Sequence, residues 1–290
     1  MKKILFYITP FALLLFACKE QIPVGLDLNG NTNSIDTTYL ATPETPLLKK
    51  VCIEESTGNK CTNCPNATLQ LEDMISNHPN RIITMAIHHG LEEDIPLQGY
   101  FSLENQDAID LIDFIGQPAG QPAATFDRTV VGGAAMILRG DGGAWNAALT
   151  TQLAKVSPIN IHLTSSYDAG QDKVNTIVKI ACTDTTSSNL MLSLFVIENG
   201  LIGAQLDNGV KVPDYVFNHV LRKAITPVIG MPLLNTIVLK EKGRVIQKLI
   251  SFTPDAIWNK DKCQIVAIVH RNDNGGAIKE VLQVEEVNMK

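Results

Sequence analysis

Positive charge is in short supply in this chain. Its 290 residues carry 24 Lys and Arg against 30 Asp and Glu, a formal net charge of −6 and an isoelectric point near 5.5. No basic cluster beyond scattered pairs offsets that balance, which argues against a nucleic-acid partner and against electrostatic attraction to anionic lipid headgroups. Long apolar runs are scarce too. The longest, Ile4 to Ala17, has 14 residues, where a membrane-spanning helix needs about 20. There is no repeat of fixed period, no phosphate-binding glycine loop, no Ser-His-Asp order and no carboxylate pair, so nothing points to a solenoid, a nucleotide enzyme or a hydrolase. No cofactor is implied. What remains is ordinary for a globular protein, with 45% hydrophobic and 19% charged residues and enough length for two domains.

The chemistry gathers at Cys61-Thr62-Asn63-Cys64-Pro65. The run Val51-Cys52-Ile53 before it reads as a strand. After it, Ala67, Leu71, Met74 and Ile75 recur at the spacing of one helix face. Two cysteines therefore stand where a strand turns into a helix. Free backbone N–H groups and the helix dipole favour a thiolate there, and Pro65 suits a first turn whose N–H has no partner. The reading is a dithiol/disulfide pair on a thioredoxin-like frame. A c-type haem site would need His where Pro65 stands. A zinc site would need two more ligands, for which His88 and His89 are recruitable but no second Cys-x-x-Cys exists. A static disulfide is the other alternative. Closing so small a loop removes only about 2 kcal/mol of unfolded-chain entropy, and both the redox and the inert readings stand.

Met1-Lys2-Lys3 followed by the apolar run resembles a secretory signal, and Leu15-Phe16-Ala17-Cys18 resembles the bacterial lipobox. The expectation is a signal peptide over 1–18 with Cys18 lipidated, anchoring an exported protein in a membrane. Lys19-Glu20 is similar to short signals that direct some lipoproteins to the outer face of the outer membrane. Export puts the other five of the six cysteines in a compartment where disulfides persist. Cys182 and Cys263 both fall on predicted strands. A bridge between them would contribute about 4–5 kcal/mol, and two buried free thiols are the alternative.

Residues 19–46, rich in Asn, Thr, Pro and Gly, read as a flexible tether. From 47 to 157 strands and helices alternate: Arg81 to Ile87 is a buried strand, Ala108, Leu111, Ile112 and Ile115 mark a helix, and Trp145, Leu149, Leu153 and Val156 mark a closing helix with Asp141 as its cap. Pro122 enters the strand between the last two helices, where a thioredoxin fold carries a cis proline. From 158 to 290 the texture is β. The runs Ile159–Leu163, Val174–Ala181, Leu190–Ile197, Leu234–Leu239, Val245–Phe252, Gln264–His270 and Ile278–Val287 have the arithmetic of an immunoglobulin-like sandwich, with Asp214 to Ile225 an irregular crossover.

Glu54-Glu55-Ser56-Thr57-Gly58 leading into Cys61-Thr62-Asn63-Cys64-Pro65-Asn66 resembles the outer membrane protein 28 family of Gram-negative lipoproteins. Gln121-Pro122, Asp127-Arg128, Asn218-His219-Val220-Leu221-Arg222 and Trp258-Asn259 support the likeness across nearly the whole mature chain. The resemblance implies an α/β thioredoxin-like domain followed by an all-β sandwich, at the outer membrane. Lys60 stands before the first cysteine where thioredoxins carry Trp, and Thr62-Asn63 stands in place of Gly-Pro. No buried acid of the thioredoxin kind is assigned. The first expectation is a surface-associated binding or adhesion module for an unidentified macromolecule. The alternative is an envelope thiol–disulfide oxidoreductase in which Cys61 attacks, Cys64 resolves and Pro122 shapes the peptide edge.

Overall fold

A computed structural model describes residues 35–90, 97–131, 136–140, 143–234 and 236–290. The signal segment, Cys18, Lys19-Glu20 and the Asp141 cap lie outside them. In chain order the elements are β1 (Ile35–Leu40), β2 (Val51–Ser56), α1 (Cys64–Asn77), β3 (Ile82–Ile87), α2 (Gln106–Ile115), β4 (Ala123–Phe126), β5 (Ile137–Arg139) and α3 (Gly143–Leu153). There follow β6 (Ile159–Asp168), β7 (Lys173–Cys182), β8 (Leu190–Glu198), β9 (Leu201–Asp207), β10 (Val210–Phe217), β11 (Val220–Ala224), β12 (Met231–Pro232), β13 (Arg244–Phe252), β14 (Cys263–Arg271) and β15 (Val281–Asn288).

Local chemistry accounts for the helices. Pro65 sits in the first turn of α1, and Ala67, Leu71 and Met74 are its buried stripe. Asn105 caps α2 by accepting from the Ala108 N–H, and Gly116 ends that helix at φ 131°, a conformation that favours glycine. The helix α3 stops at Leu153, so Val156, expected on its apolar face, is exposed beyond it.

One long sheet organises the molecule. Its order is β15-β14-β8-β11-β3-β2-β4-β5, with β12 attached to β8. The pairs β11–β3 and β3–β2 are parallel; the other ladders are antiparallel. Because strand residues alternate between faces, Val51 and Ile53 face α1 and α3 while Cys52 faces α2. A second sheet, β1-β13-β7-β6, shares a core with the β8–β14 end of the first, built from Ile161, Val178, Ile180, Leu192, Val196, Ile265 and their neighbours.

Several expectations change here. Residues 35–40, expected within the tether, are a strand paired with β13 from Ile35↔Leu249 to Leu40↔Arg244. The tether expected over 19–46 therefore does not hold for residues 35–40, and its first part, 19–34, lies outside the described residues. The segments either side of residue 157 share a sheet, through Val220↔Ala86, and share the core beneath α2, where Met85 and Leu111 meet Phe195 and Val266. Leu234–Leu239 supplies no strand among its described residues, and Leu234 has φ 51°. The irregular crossover is instead the end of β10 and all of β11. Cys182 and Cys263 carry no bridge. They sit on β7 and β14, in different sheets, and each packs as a small apolar group in the shared core, with its thiol pushed up to about 11 and about 12 mainly by burial.

The stretches that carried the family likeness have structural work. Glu198 accepts from the Asn259 N–H at 2.8 Å and lies 3.4 Å from Arg222 Nε, tying two of them together, while Trp258 fills the shared core. Asp127 and Arg128, both at positive φ, follow β4. Asp127 holds the Cys52 N–H and Lys49, and Arg128 forms a two-toothed bridge to Glu54.

Candidate functional site

Between β2 and α1, Cys61 and Cys64 form a disulfide, with Cys64 the first residue of the helix. The loop turns tightly: Cys61 N–H donates to Gly58 O and Cys64 N–H to Cys61 O. The Gln121–Pro122 peptide is cis. Pro122, Asn63, Asn66, Ala67, Gln70 and Gly140 line one open groove of about 250 Å3, so the proline and the cysteine loop share a surface. A Cβ on Gly140 would lie 3.0 Å from Pro122 Cγ, a reason for glycine there. Behind the proline, Gln121 donates to Thr57 O at 2.8 Å, and Ser56 Oγ lies 2.6 Å from His89 Nε2. His89, raised above as a recruitable metal ligand, is thus engaged with Ser56. His88 is buried edge-on against Phe217, and burial, with the neighbouring His89 a smaller cause, pushes it down to about 3.

The residue missed in the sequence is Glu55. It is 3% exposed, next to Glu54 in β2 but facing the opposite way. Glu54 meets Arg128. Glu55 faces α1, where Thr68 hydrogen-bonds it, and burial pushes its carboxyl up to about 8 despite that bond. One of its oxygens finds no hydrogen-bond partner among the described residues. Glu55 and Cys64 line the same partly open cavity of about 30 Å3, room for a water or two, with Thr84, His88, Tyr215 and His219. A carboxyl whose proton is held up to about 8 by burial therefore shares a cavity with the second cysteine of the pair.

Also unforeseen is what covers the loop. Asn208-Gly209, at φ 48° and 82°, turns β9 into β10, and this hairpin lies over Gly58–Thr62. An Asn-Gly pair between apolar runs is the signal that could have found it. Cys61 is 4% and Cys64 2% exposed.

A family model described as outer membrane protein Omp28 matches residues 112–290. The chain belongs to the Omp28 outer membrane protein family. The matched part of this Omp28 chain starts within α2, so it includes Pro122, the hairpin and every strand from β4 to β15 but not Cys61 and Cys64. With membership comes an outer-membrane location. Among the described residues no helix is long and apolar enough to cross a membrane. No curated protein matches. Among solved structures, the chain is similar to HBP35 of Porphyromonas gingivalis, at TM-score 0.65 and 16% identity over 87% of this chain and 77% of that one. It is also similar to protein AGR_C_4864 from Agrobacterium tumefaciens, at TM-score 0.52 and 10% identity over 85% and 97%. At such identities the likeness is one of fold.

Proposed function

We propose that this Omp28-family protein is held at the outer membrane by a lipid on Cys18 and carries a thioredoxin-like thiol–disulfide exchange unit fused to an immunoglobulin-like sandwich. The observation that carries the reading is Glu55, a buried carboxyl with its proton held up to about 8, lining one cavity with Cys64 of a disulfide at a helix start. In exchange with a partner dithiol, a partner thiolate attacks Cys61 Sγ. The Cys61–Cys64 bond breaks, and Cys64 leaves with the electron pair and takes a proton from Glu55. The partner's second thiol gives its proton to solvent and attacks the partner sulfur bound to Cys61; that bond breaks, Cys61 leaves with the electron pair, and Cys61 and Glu55 each take a proton from solvent. The partner is oxidised to a disulfide and the pair here is reduced to two thiols. Pro122 borders the groove along which an extended partner segment would lie. This reading replaces a metal or haem role for the two cysteines.

A second reading, a binding or adhesion module on an inert scaffold, is favoured by the burial of both sulfurs. Insulin reduction separates the two. Exchange predicts that the protein accelerates dithiothreitol-driven precipitation of insulin chains at least tenfold, and that Cys61→Ser abolishes the gain. A rate equal to that of dithiothreitol alone leaves the scaffold reading.

A further inference from the structure

One piece of chain is hydrogen-bonded across the loop that carries the buried Cys61, and the way it is held has consequences. β9 and β10 pair with each other, and among the described residues no third strand joins them. Two-stranded hairpins are marginal by themselves. This one is fastened at its tip to the cysteine loop. Leu206 N–H donates to Asn59 O at 2.9 Å, and Asn208 N–H to Thr62 O at 3.0 Å. Gly209 N–H donates to Thr62 Oγ1 at 2.6 Å. The Gln205 amide is shared between Gly58 O at 3.1 Å and Cys61 O at 3.0 Å. In return the Asn59 amide donates to Ala204 O at 2.9 Å. At the base, Tyr215 and Phe217 pack on each other at 4.8 Å, beside Leu103 and Val220. Ile202, Val210 and Val216 of the hairpin are exposed, so little apolar burial holds the tip down.

From this we propose that the β9–β10 hairpin is an autoinhibitory strap: closed, it denies thiols access to Cys61, and exchange proceeds through a state in which the tip has lifted from Gly58–Thr62. The clamp suits that role, being mainly polar and backbone in character, bonds that water can replace. Gln205, whose amide is part of the clamp, also lines the Glu55 cavity, so lifting the tip would hydrate that carboxyl as it uncovers the sulfur. The idea rests on the exchange reading for its purpose, though not for its test.

The test is the rate at which dithiothreitol reduces Cys61–Cys64 in the full-length, detergent-solubilised protein. The dithiol becomes its cyclic disulfide as two protein thiols form, read as a gain of two maleimide-labelled thiols after acid quench. A strap predicts a rate that levels off as dithiothreitol rises, limited by opening. Gln205→Ala and Thr62→Val, which remove separate parts of the clamp, should each raise the plateau about tenfold, whereas Ile202→Ser, outside the clamp, should not. Hydrogen exchange at Leu206 and Asn208 should quicken in step, with β14 unchanged, which separates strap release from general unfolding. Rates linear in dithiothreitol with equal slopes in all four proteins would overturn the strap. Faster reduction in Gln205→Ala without insulin turnover in any variant would retain the strap and remove the exchange reading.

Discussion

Replacing Glu55 by glutamine is expected to slow disulfide exchange near pH 7 by about 10²-fold or more, the scale of a lost general acid–base group. The carboxyl lies in the cavity that Cys64 also lines and, held up to about 8 by burial, keeps its proton where an ordinary Glu has lost it. Glutamine preserves the shape and cannot give a proton to the departing Cys64 thiolate. The same substitution carries a stability signature whose sign is fixed. The folded state retains the Glu55 proton up to about 8, whereas the unfolded chain releases it near the ordinary 4.5. Between these values the unfolded state is the more deprotonated, so native stability falls as pH rises through that window and levels off above it. Glu55→Gln should therefore match the wild type near pH 4 and exceed it by about 3–5 kcal/mol near pH 9, an upper figure taken from the shift. Denaturant titrations at the two pH values, with stopped-flow exchange at pH 7, check both halves. An unchanged exchange rate would remove Glu55 from the chemistry.

The second large effect concerns the neighbour in sequence. Glu54→Ala should cost about 3–5 kcal/mol of stability, because it strands a charge. Arg128 reaches Glu54 with Nη2 at 2.6 Å and Nε at 2.9 Å, both side chains are fully buried, and the guanidinium also lies 5.4 Å over the Phe114 ring of α2. Asp127, beside it, accepts from Cys52 N–H and pairs with Lys49, while its carbonyl accepts from Val281 N–H of β15. The pair thus sits where β4, β2 and α2 meet the end of the long sheet. Removing both charges together, as Glu54→Met with Arg128→Leu, should cost much less than either alone, since a buried bridge offers little over apolar packing. Chemical denaturation of Glu54→Ala, Arg128→Leu and the double variant reads this directly. A single-variant loss below about 1 kcal/mol would mean that water reaches the site.

The contrast between these two carboxylates shows where a single sequence stops being informative. Pattern alone placed Val51–Ile53 in a strand, the stripe of Ala67, Leu71 and Met74 on a helix, and both cysteines at the junction, because those signals are local. Glu54-Glu55 is also local, but what separates a salt-bridged acid from a neutral one is which face each takes in β2 and what lies opposite. Arg128 is 74 residues away from Glu54, and the cavity wall of β10 with Asn218 and His219 is farther still from Glu55. The strap had a local signal in Asn208-Gly209, yet its docking on Gly58–Thr62 is a long-range fact. Ile35–Leu40 was misread for the opposite reason: a Thr-rich edge strand has little apolar periodicity, and its partner β13 lies some 200 residues on. Cys182 and Cys263 illustrate the same limit, since strand membership says nothing about whether two thiols meet.

The reduction potential of Cys61–Cys64, measured by equilibration with dithiothreitol and glutathione buffers, tests the central claim most directly. An exchange pair predicts a potential above about −300 mV, within reach of a biological thiol. A value below that, together with no insulin turnover even in Gln205→Ala, would show a permanent staple and contradict the account.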